Sequence, residues 1–193
     1  MSVFLLRHPE VAQAAGICYG SMDCIPDEVT MATAVNSLIT PLLRMVPGGK
    51  PIRFFSSPLE RCAGFAHRLA VSLEGQGAAP DVLVDPRLRE IDFGSWEGLA
   101  WDAIPRSMLD EWAADPWHYK PGGKECASDV LARWRSFRAT HMATPEAMDS
   151  VKVLVTHAGI IRMAMYDSGM LTQDSLWLHR VPHAQLLAWE PGV

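Results

Sequence analysis

Five side chains far apart in the sequence have the chemistry that phosphoryl transfer requires. His8 follows Arg7, His157 follows Thr156, Arg61 comes shortly after Ser56-Ser57-Pro58-Leu59, and Glu90 sits in Arg89-Glu90-Ile91-Asp92-Phe93-Gly94. A phosphoryl group moves when a nucleophile attacks in line with the leaving oxygen, cations balance charge on the equatorial oxygens, and an acid protonates the departing alcohol. An imidazole of ordinary pKa, about 6.5, is largely neutral near pH 7 and can attack. Guanidinium forks match phosphate oxygens in a planar, bidentate way that lysine does not. A carboxyl of ordinary pKa, about 4.3, serves as the acid once burial or an anionic neighbour raises it. Taken singly, each residue has a plainer reading. A histidine at a strand end is commonly a hydrogen-bonded structural group, the arginines can be solvated, and Glu90 beside Arg89 makes an ordinary exposed ion pair. What separates the two readings is whether the chain brings all five to one place.

Positioning falls to short strands. Val3-Phe4-Leu5-Leu6, Ile52-Arg53-Phe54-Phe55 and Val151-Lys152-Val153-Leu154-Val155 are apolar runs rich in β-branched or aromatic residues, as strands buried on both faces are. Val82-Leu83-Val84 and Gln185-Leu186-Leu187-Ala188-Trp189 are further strand candidates, and Pro47-Gly48-Gly49 has turn composition. Helical spacing runs over Leu59 to Ser72, Ser128 to Arg138 and Ile160 to Ser168, while Val29 to Met45 is apolar with Pro41 interrupting it. Strands alternating with helices predict right-handed crossovers. The expected architecture is α/β: a three-layer αβα sandwich, its mostly parallel sheet flanked by helices, in a single domain over residues 1–193. Ligands in such sheets bind outside the carboxyl ends of the strands, where Arg7-His8, Ser56-Ser57-Pro58 and Thr156-His157 stand.

The stretch Phe93 to Pro121 differs in character, carrying Trp96, Trp101, Trp112 and Trp117 among Gly, Pro and acidic residues. It reads as a small helical insertion over the active site, roughly residues 93–125. Its tryptophans suit either packing that anchors the insertion or a stacking platform for a ring-bearing substrate. Cys18, Cys24, Cys62 and Cys126 are scattered, so reduced thiols are expected, and none lies in the glycine-rich loop that a cysteine nucleophile needs. His67, His118, His141, His179 and His183 do not pair with acidic residues at helical ligand spacing, so no metal and no other cofactor is expected. His183, in Val181-Pro182-His183-Ala184, precedes the last strand candidate and is a candidate substrate contact. The formal charge of −5 argues against nucleic acid as a partner. No apolar run approaches bilayer length and Met1 leads straight into the first strand without a basic leader, so no membrane association is expected and the chain reads as cytoplasmic.

Leu6-Arg7-His8-Pro9-Glu10 is similar to an Arg-His-Gly-Glu signature, and it is followed in order by Ser56-Ser57-Pro58-Leu59-Glu60-Arg61-Cys62, by Leu88 to Gly98, and by Val155-Thr156-His157-Ala158-Gly159-Ile160-Ile161-Arg162. With these motifs spread over nearly its whole length, the chain resembles the histidine phosphatase superfamily, which includes the cofactor-dependent phosphoglycerate mutases. Gly16-Ile17-Cys18-Tyr19-Gly20 with Asp23, Cys62 after Arg61, and Asp92 to Gly98 further resemble the α-ribazole phosphatase branch. The resemblance implies that His8 attacks phosphorus and forms a phosphohistidine, while Arg7, Arg61 and His157 bind the phosphoryl oxygens. Glu90 would protonate the leaving alcohol and then take a proton from the hydrolytic water. Cys18, Tyr19 and Gly20, joined by His183, would contribute to binding substrate. Pro9 departs from the signature's glycine, removing a backbone N–H and biasing His8 toward extended geometry. Lys124, in Gly123-Lys124-Glu125, replaces the second glycine of the family's Gly-Gly-Glu turn.

The expected partner is a small phosphorylated metabolite and the expected reaction is hydrolysis, with α-ribazole 5′-phosphate as the first substrate to test. A mutase would need further cations to hold a phosphorylated sugar acid, and the insertion offers Arg106, His118, Lys120 and Lys124 without a dense basic cluster. A non-catalytic phosphate-binding member would need neither nucleophile nor acid. The sequence leaves the oligomeric state open, a homodimer included.

Overall fold

Buried apolar runs become strands, and in the computed structural model, which describes residues 2–11, 14–45, 51–142 and 150–190, there are five of them. These are β1 (Ser2–Arg7), β2 (Ile52–Ser56), β3 (Asp81–Val84), β4 (Val151–Thr156) and β5 (Leu186–Trp189). They form one sheet in the order β3-β2-β4-β1-β5. All neighbours pair in parallel except β5, which runs antiparallel to β1 at the edge. The central β4 is buried at every residue, Lys152 included, whose ammonium donates to the His141 carbonyl at 2.6 Å.

Six α-helices join the strands: α1 (Glu28–Arg44), α2 (Glu60–Glu74), α3 (Arg106–Ala114), α4 (Ala127–His141), α5 (Ala158–Asp167) and α6 (Gln173–Leu176). Successive strand residues point to opposite faces, so each strand feeds two cores. Leu6, Phe54 and Val153 pack against Met31, Leu38, Phe65 and Leu69 of α1 and α2. Leu5, Phe55 and Leu154 pack against Val130, Trp134, Ile161 and Ala164 of α4 and α5. The result is the expected αβα sandwich with a mostly parallel sheet. No helix among the described residues is long and apolar enough to cross a membrane.

Two expectations need correction or qualification. Pro41 does not interrupt α1, which begins at the Asp27 cap and runs through to Arg44. Pro41 sits in the last turn, where few helical bonds are left to lose, and Leu38 and Leu42 on either side of it are buried in the core shared with α2. The turn composition at Pro47-Gly48-Gly49 lies outside the described residues. Helix α6 had no sequence signal, because four residues are too short to show a period.

The insertion folds around α3, with short 3₁₀ turns at Gly94–Trp96, Trp101–Ala103 and Pro121–Gly123. It owns a small core in which Cys18, Trp96 and Ile104 are buried beneath Phe93, Trp101, Trp112 and Tyr119. The Trp101 and Trp112 rings lie nearly parallel with centroids 6.3 Å apart, and Trp96 meets Trp112 edge-on at 5.9 Å. Trp117 packs instead on Tyr166 of α5 and on Trp177, at 5.2 and 5.7 Å. Each of the four tryptophans thus has a packing partner.

Candidate active site

Strands β1, β2 and β4 end level, since Arg7 pairs with Thr156 and Ser56 with Val155. The ladder continues one residue beyond: the His8 N–H donates to the Thr156 carbonyl at 3.1 Å and the Ser57 N–H to the Val155 carbonyl at 3.0 Å. His157, at the N-cap of α5, thus stands beside His8, with ring centroids 5.2 Å apart. The His183 ring is 5.3 Å from that of His8.

Hydrogen bonds fix how these rings face. His8 Nδ1 lies 2.6 Å from the Pro9 carbonyl, which can only accept, so Nδ1 carries the proton and Nε2 keeps its lone pair. His157 Nε2 is hydrogen-bonded to the Ser57 hydroxyl at 2.8 Å, and the Cys62 sulfur packs 3.4 Å from the same nitrogen. His183 Nδ1 donates to the His8 carbonyl at 2.8 Å. Its neighbour Ala184 adopts φ 48°, in the left-handed region that costs a non-glycine residue about 1 kcal/mol. The Ala184 N–H bond to the Arg7 carbonyl, at 3.0 Å, helps hold that conformation.

Charge and burial make the site strongly electropositive. Arg61 and His157 have no exposed surface and His8 only 2%. Arg61 donates from Nη1 to the Met22 carbonyl at 2.7 Å and from Nη2 to the Gly20 carbonyl at 2.6 Å. Arg7 Nη1 donates to the Val181 carbonyl at 2.8 Å. The Nε–H groups of Arg7 and Arg61 are buried without a protein partner. Such orphaned donors are uncommon and costly. Burial, reinforced by the Arg61 guanidinium, holds the His8 imidazole well below its ordinary pKa of 6.5. His157 is depressed likewise by burial, then by its proximity to His8 and Arg61, and His183 is lowered by burial and Arg7.

Glu90 is held across from these groups by backbone. Its carboxylate accepts from the Ile91 N–H and from the Gly159 N–H, each at 3.1 Å. Glycine at position 159 leaves the carboxylate room, because a Cβ there would lie 2.2 Å from Glu90 Oε1 and push it aside. The segment carrying Glu90 is braced on both sides. Thr156 Oγ1 donates to the Leu88 carbonyl at 2.7 Å, and Arg133 Nη1 donates to the carbonyls of Arg87 and Arg89 at 2.7 and 2.6 Å. Glu125, beyond the Gly123-Lys124 turn, accepts from the Asp92 N–H at 3.0 Å and pairs with Arg133.

These groups surround a hollow of about 220 Å³ whose lining includes Arg7, His8, Tyr19, Gly20, Arg61, Glu90 and Arg162. Three guanidiniums face one carboxylate, so the hollow suits a small tetrahedral dianion. Among the sequence candidates, His157 and His183 adjoin His8 without lining the hollow itself. Cys18 is a correction: its side chain is fully buried in the core of the insertion, where burial and the nearby Glu97 push the thiol up to about 12. Tyr19 and Gly20 do line the hollow, and Gly20 is needed because a Cβ there would lie 2.1 Å from the Ile91 carbonyl oxygen. Sequence reasoning passed over Arg162. It lies one helical turn beyond Ala158 and shares its face, a signal that becomes readable once the start of α5 is known. Among the described residues no three His, Cys, Asp or Glu side chains converge as a metal cage.

The model of the histidine phosphatase superfamily, branch 1, matches residues 3–191. Among curated relatives, a bifunctional protein of Mycobacterium tuberculosis is 36% identical over 113 residues, 57% of this chain but only 29% of its own length. This chain thus spans less than a third of that relative. A glucosyl-3-phosphoglycerate phosphatase of Mycobacterium tuberculosis is 32% identical over 168 residues, covering 81% of this chain and 70% of its own. The solved structure of a mycobacterial glucosyl-3-phosphoglycerate phosphatase in complex with VO3 superposes with a TM-score of 0.75 and 26% identity, over 97% of this chain and 91% of that one. The α-ribazole phosphatase of Shigella flexneri, at a TM-score of 0.74 and 21% identity over 97% of this chain and 89% of its own, shares the fold.

The histidine shifts set a pH dependence of stability. Because the folded protein holds His8 and His157 neutral where the unfolded chain binds protons, the unfolded state gains protons first as pH falls below about 6.5. Stability is therefore unaffected by these rings above that pH and declines below it until their folded pKa values are reached. Each ring contributes a slope of up to about 1.4 kcal/mol per pH unit in that window. Urea unfolding at pH 7.5 and 5.5 measures this, and equal stabilities at the two values would contradict the burial of neutral imidazoles.

Proposed function

The chain belongs to the histidine phosphatase superfamily, and from that premise we propose that it is a phosphomonoester hydrolase acting through a phosphohistidine on His8. The observation that carries the reading is the convergence of an imidazole with a free Nε2, the guanidiniums of Arg7, Arg61 and Arg162 and the Glu90 carboxylate on one small hollow. In the proposed cycle His8 Nε2 attacks phosphorus and the P–O bond to the alcohol breaks. Glu90 gives its proton to the departing oxygen. The Nδ1–H bond to the Pro9 carbonyl keeps the ring oriented and offsets the positive charge it gains. Glu90 then takes a proton from water, whose oxygen attacks phosphorus, and the N–P bond breaks to release phosphate with Nε2 restored. Arg7, Arg61 and Arg162 stabilise the negative oxygens throughout, while His157 and His183 position His8.

Hydrolysis is favoured over a mutase activity by where the insertion's cations go. Arg106 pairs with Asp110 and Lys120 with Asp129, and His118 is hydrogen-bonded to Asp115, all at exposed positions. Neither they nor Lys124 lines the hollow or the larger cavity next to it, so no dense cationic grip for a phosphorylated sugar acid is built there. α-Ribazole 5′-phosphate belongs in the first substrate panel, alongside phosphoserine and the glucosyl-3-phosphoglycerate for which a relative is named.

Rapid alkaline quench with labelled substrate, which spares the acid-labile N–P bond, should trap phosphate on His8 in a burst, and His8→Ala should show neither burst nor turnover. Turnover by His8→Ala at the parent rate would refute the covalent mechanism. Arg61→Lys keeps the charge but loses the fork that spans the Gly20 and Met22 carbonyls, and kcat/KM should fall about a hundredfold. Near-parental kinetics in that variant would remove Arg61 from the clamp.

Gly159→Ala separates chemistry from folding. Alanine favours a helix by about 1 kcal/mol over glycine, so Tm should hold or rise. The new methyl displaces the Glu90 carboxylate, and kcat should drop at least about tenfold, within the range a general acid supplies. Unchanged kcat would argue that Glu90 does not move the proton.

A further inference from the structure

Beside the phosphoryl hollow lies a second, larger chamber of about 450 Å³, within the size range of small-molecule pockets. The two share Glu90, Phe93 and Arg162 as a common wall. Arg7, His8 and Arg61 line only the hollow, whereas Trp112, Val130, Met163 and Trp177 line only the chamber. Apart from Glu90 and Arg162 its lining is uncharged and mostly apolar. Arg162 is fixed by its Nε bond to the His179 carbonyl at 2.9 Å.

In-line attack places the leaving oxygen opposite His8, and the group that protonates it must touch it. The body of the alcohol therefore lies next to Glu90, and Glu90 is one of the residues through which the hollow adjoins this chamber. A sugar acid or an amino acid would bring carboxylate, hydroxyl or ammonium groups against indole and thioether surfaces that offer them few partners, which is unfavourable. An aromatic body would bury apolar area against Phe93, Trp112 and Trp177. Resting on the assignment of His8 and Glu90 as the reacting pair, we propose that the chamber binds the leaving group and that the substrate is a phosphomonoester of an alcohol bearing an apolar aromatic body.

The test matches leaving groups so that only the body differs. 2-(2-Naphthyl)ethyl phosphate should be hydrolysed with a kcat/KM at least tenfold above that of ethyl phosphate, since both release primary alcohols. Calorimetry with the corresponding phosphonates, which cannot turn over, should show the same preference in Kd. Ala113→Gln adds a polar arm to the chamber wall at an exposed position of α3 and disturbs no packing, and it should reduce the preference to threefold or less. Trp112→Ala should do the same, with circular dichroism reporting whether the insertion stays folded. Hydrolysis of both esters with equal kcat/KM, or equal phosphonate affinities, overturns the aromatic assignment and leaves the hydrolase intact. Preferential phosphonate binding without turnover of either ester supports the chamber and instead defeats the proposed reaction.

Discussion

Arg61 is wholly buried, two of its guanidinium nitrogens are bonded to backbone carbonyls, and its Nε–H has no partner. A charge in that setting is strongly disfavoured unless its surroundings answer it. Gly20 and Met22 answer with carbonyl oxygens, which draws the loop after Gly16 over the strand ends and sets Tyr19 against the guanidinium at 5.2 Å. The same charge bears on His8 and His157, and with burial it keeps both imidazoles neutral. A neutral ring is the form that attacks. One buried cation thus shapes the loop, adds to the effect of burial on the ring of His8 and, on the proposed reading, raises the affinity for an oxyanion.

Such a site works only if its parts do not drift, and the chain anchors them to backbone. His8 and Ser57 extend the ladders of β1 and β2 by one bond each, His183 and Ala184 grip the carbonyls of His8 and Arg7, and Gly159 offers its N–H to Glu90. Glu97 ties the loop to the insertion by accepting from the Ser21 and Phe93 N–H groups at 2.6 and 3.0 Å. Arg133 and Glu125 do the equivalent for the segment around Glu90. Most of these contacts end on main-chain atoms, whose positions are set by the sheet and its flanking helices rather than by rotamers. Preorganised donors of that kind lose little on meeting developing charge.

Much of this was legible in the residues. Continuous apolar runs ending in Arg7-His8 and Thr156-His157 place those groups at strand ends, because a run without alternation is a strand covered on both faces. The parallel order then carries both to one edge. Loop geometry was not legible: Cys18, Tyr19 and Gly20 are adjacent in sequence, yet Cys18 turns into the core of the insertion while its two successors face the hollow. That choice depends on the pairing of Ile17 with Ala100, a contact between distant segments with no local signature. Pro41 misled for a related reason, since its penalty depends on how near the helix end it falls and on what its neighbours bury. Arg162 was hidden because a helix face acquires meaning only once its first turn is located.

The two chambers are built on different principles, and their difference bears on how such a fold changes substrate. The phosphoryl hollow joins Arg7 and His8 at a strand end to side chains such as Arg61 and Arg162 that are held by bonds to main-chain carbonyls. The neighbouring chamber is walled largely by side chains of the insertion and of α4 and α5, which contribute no ladder bonds. Trp112 joins the two tasks: it stacks on Trp101 in the small core of the insertion and also lines the chamber. A change at Trp112 therefore alters the support of the insertion together with the shape it presents. At Ala113, exposed on the same helix and also in the chamber lining, the shape can change alone. On the proposed reading, selectivity for the alcohol can thus drift through such positions while Arg7 and His8 keep their place at the end of β1.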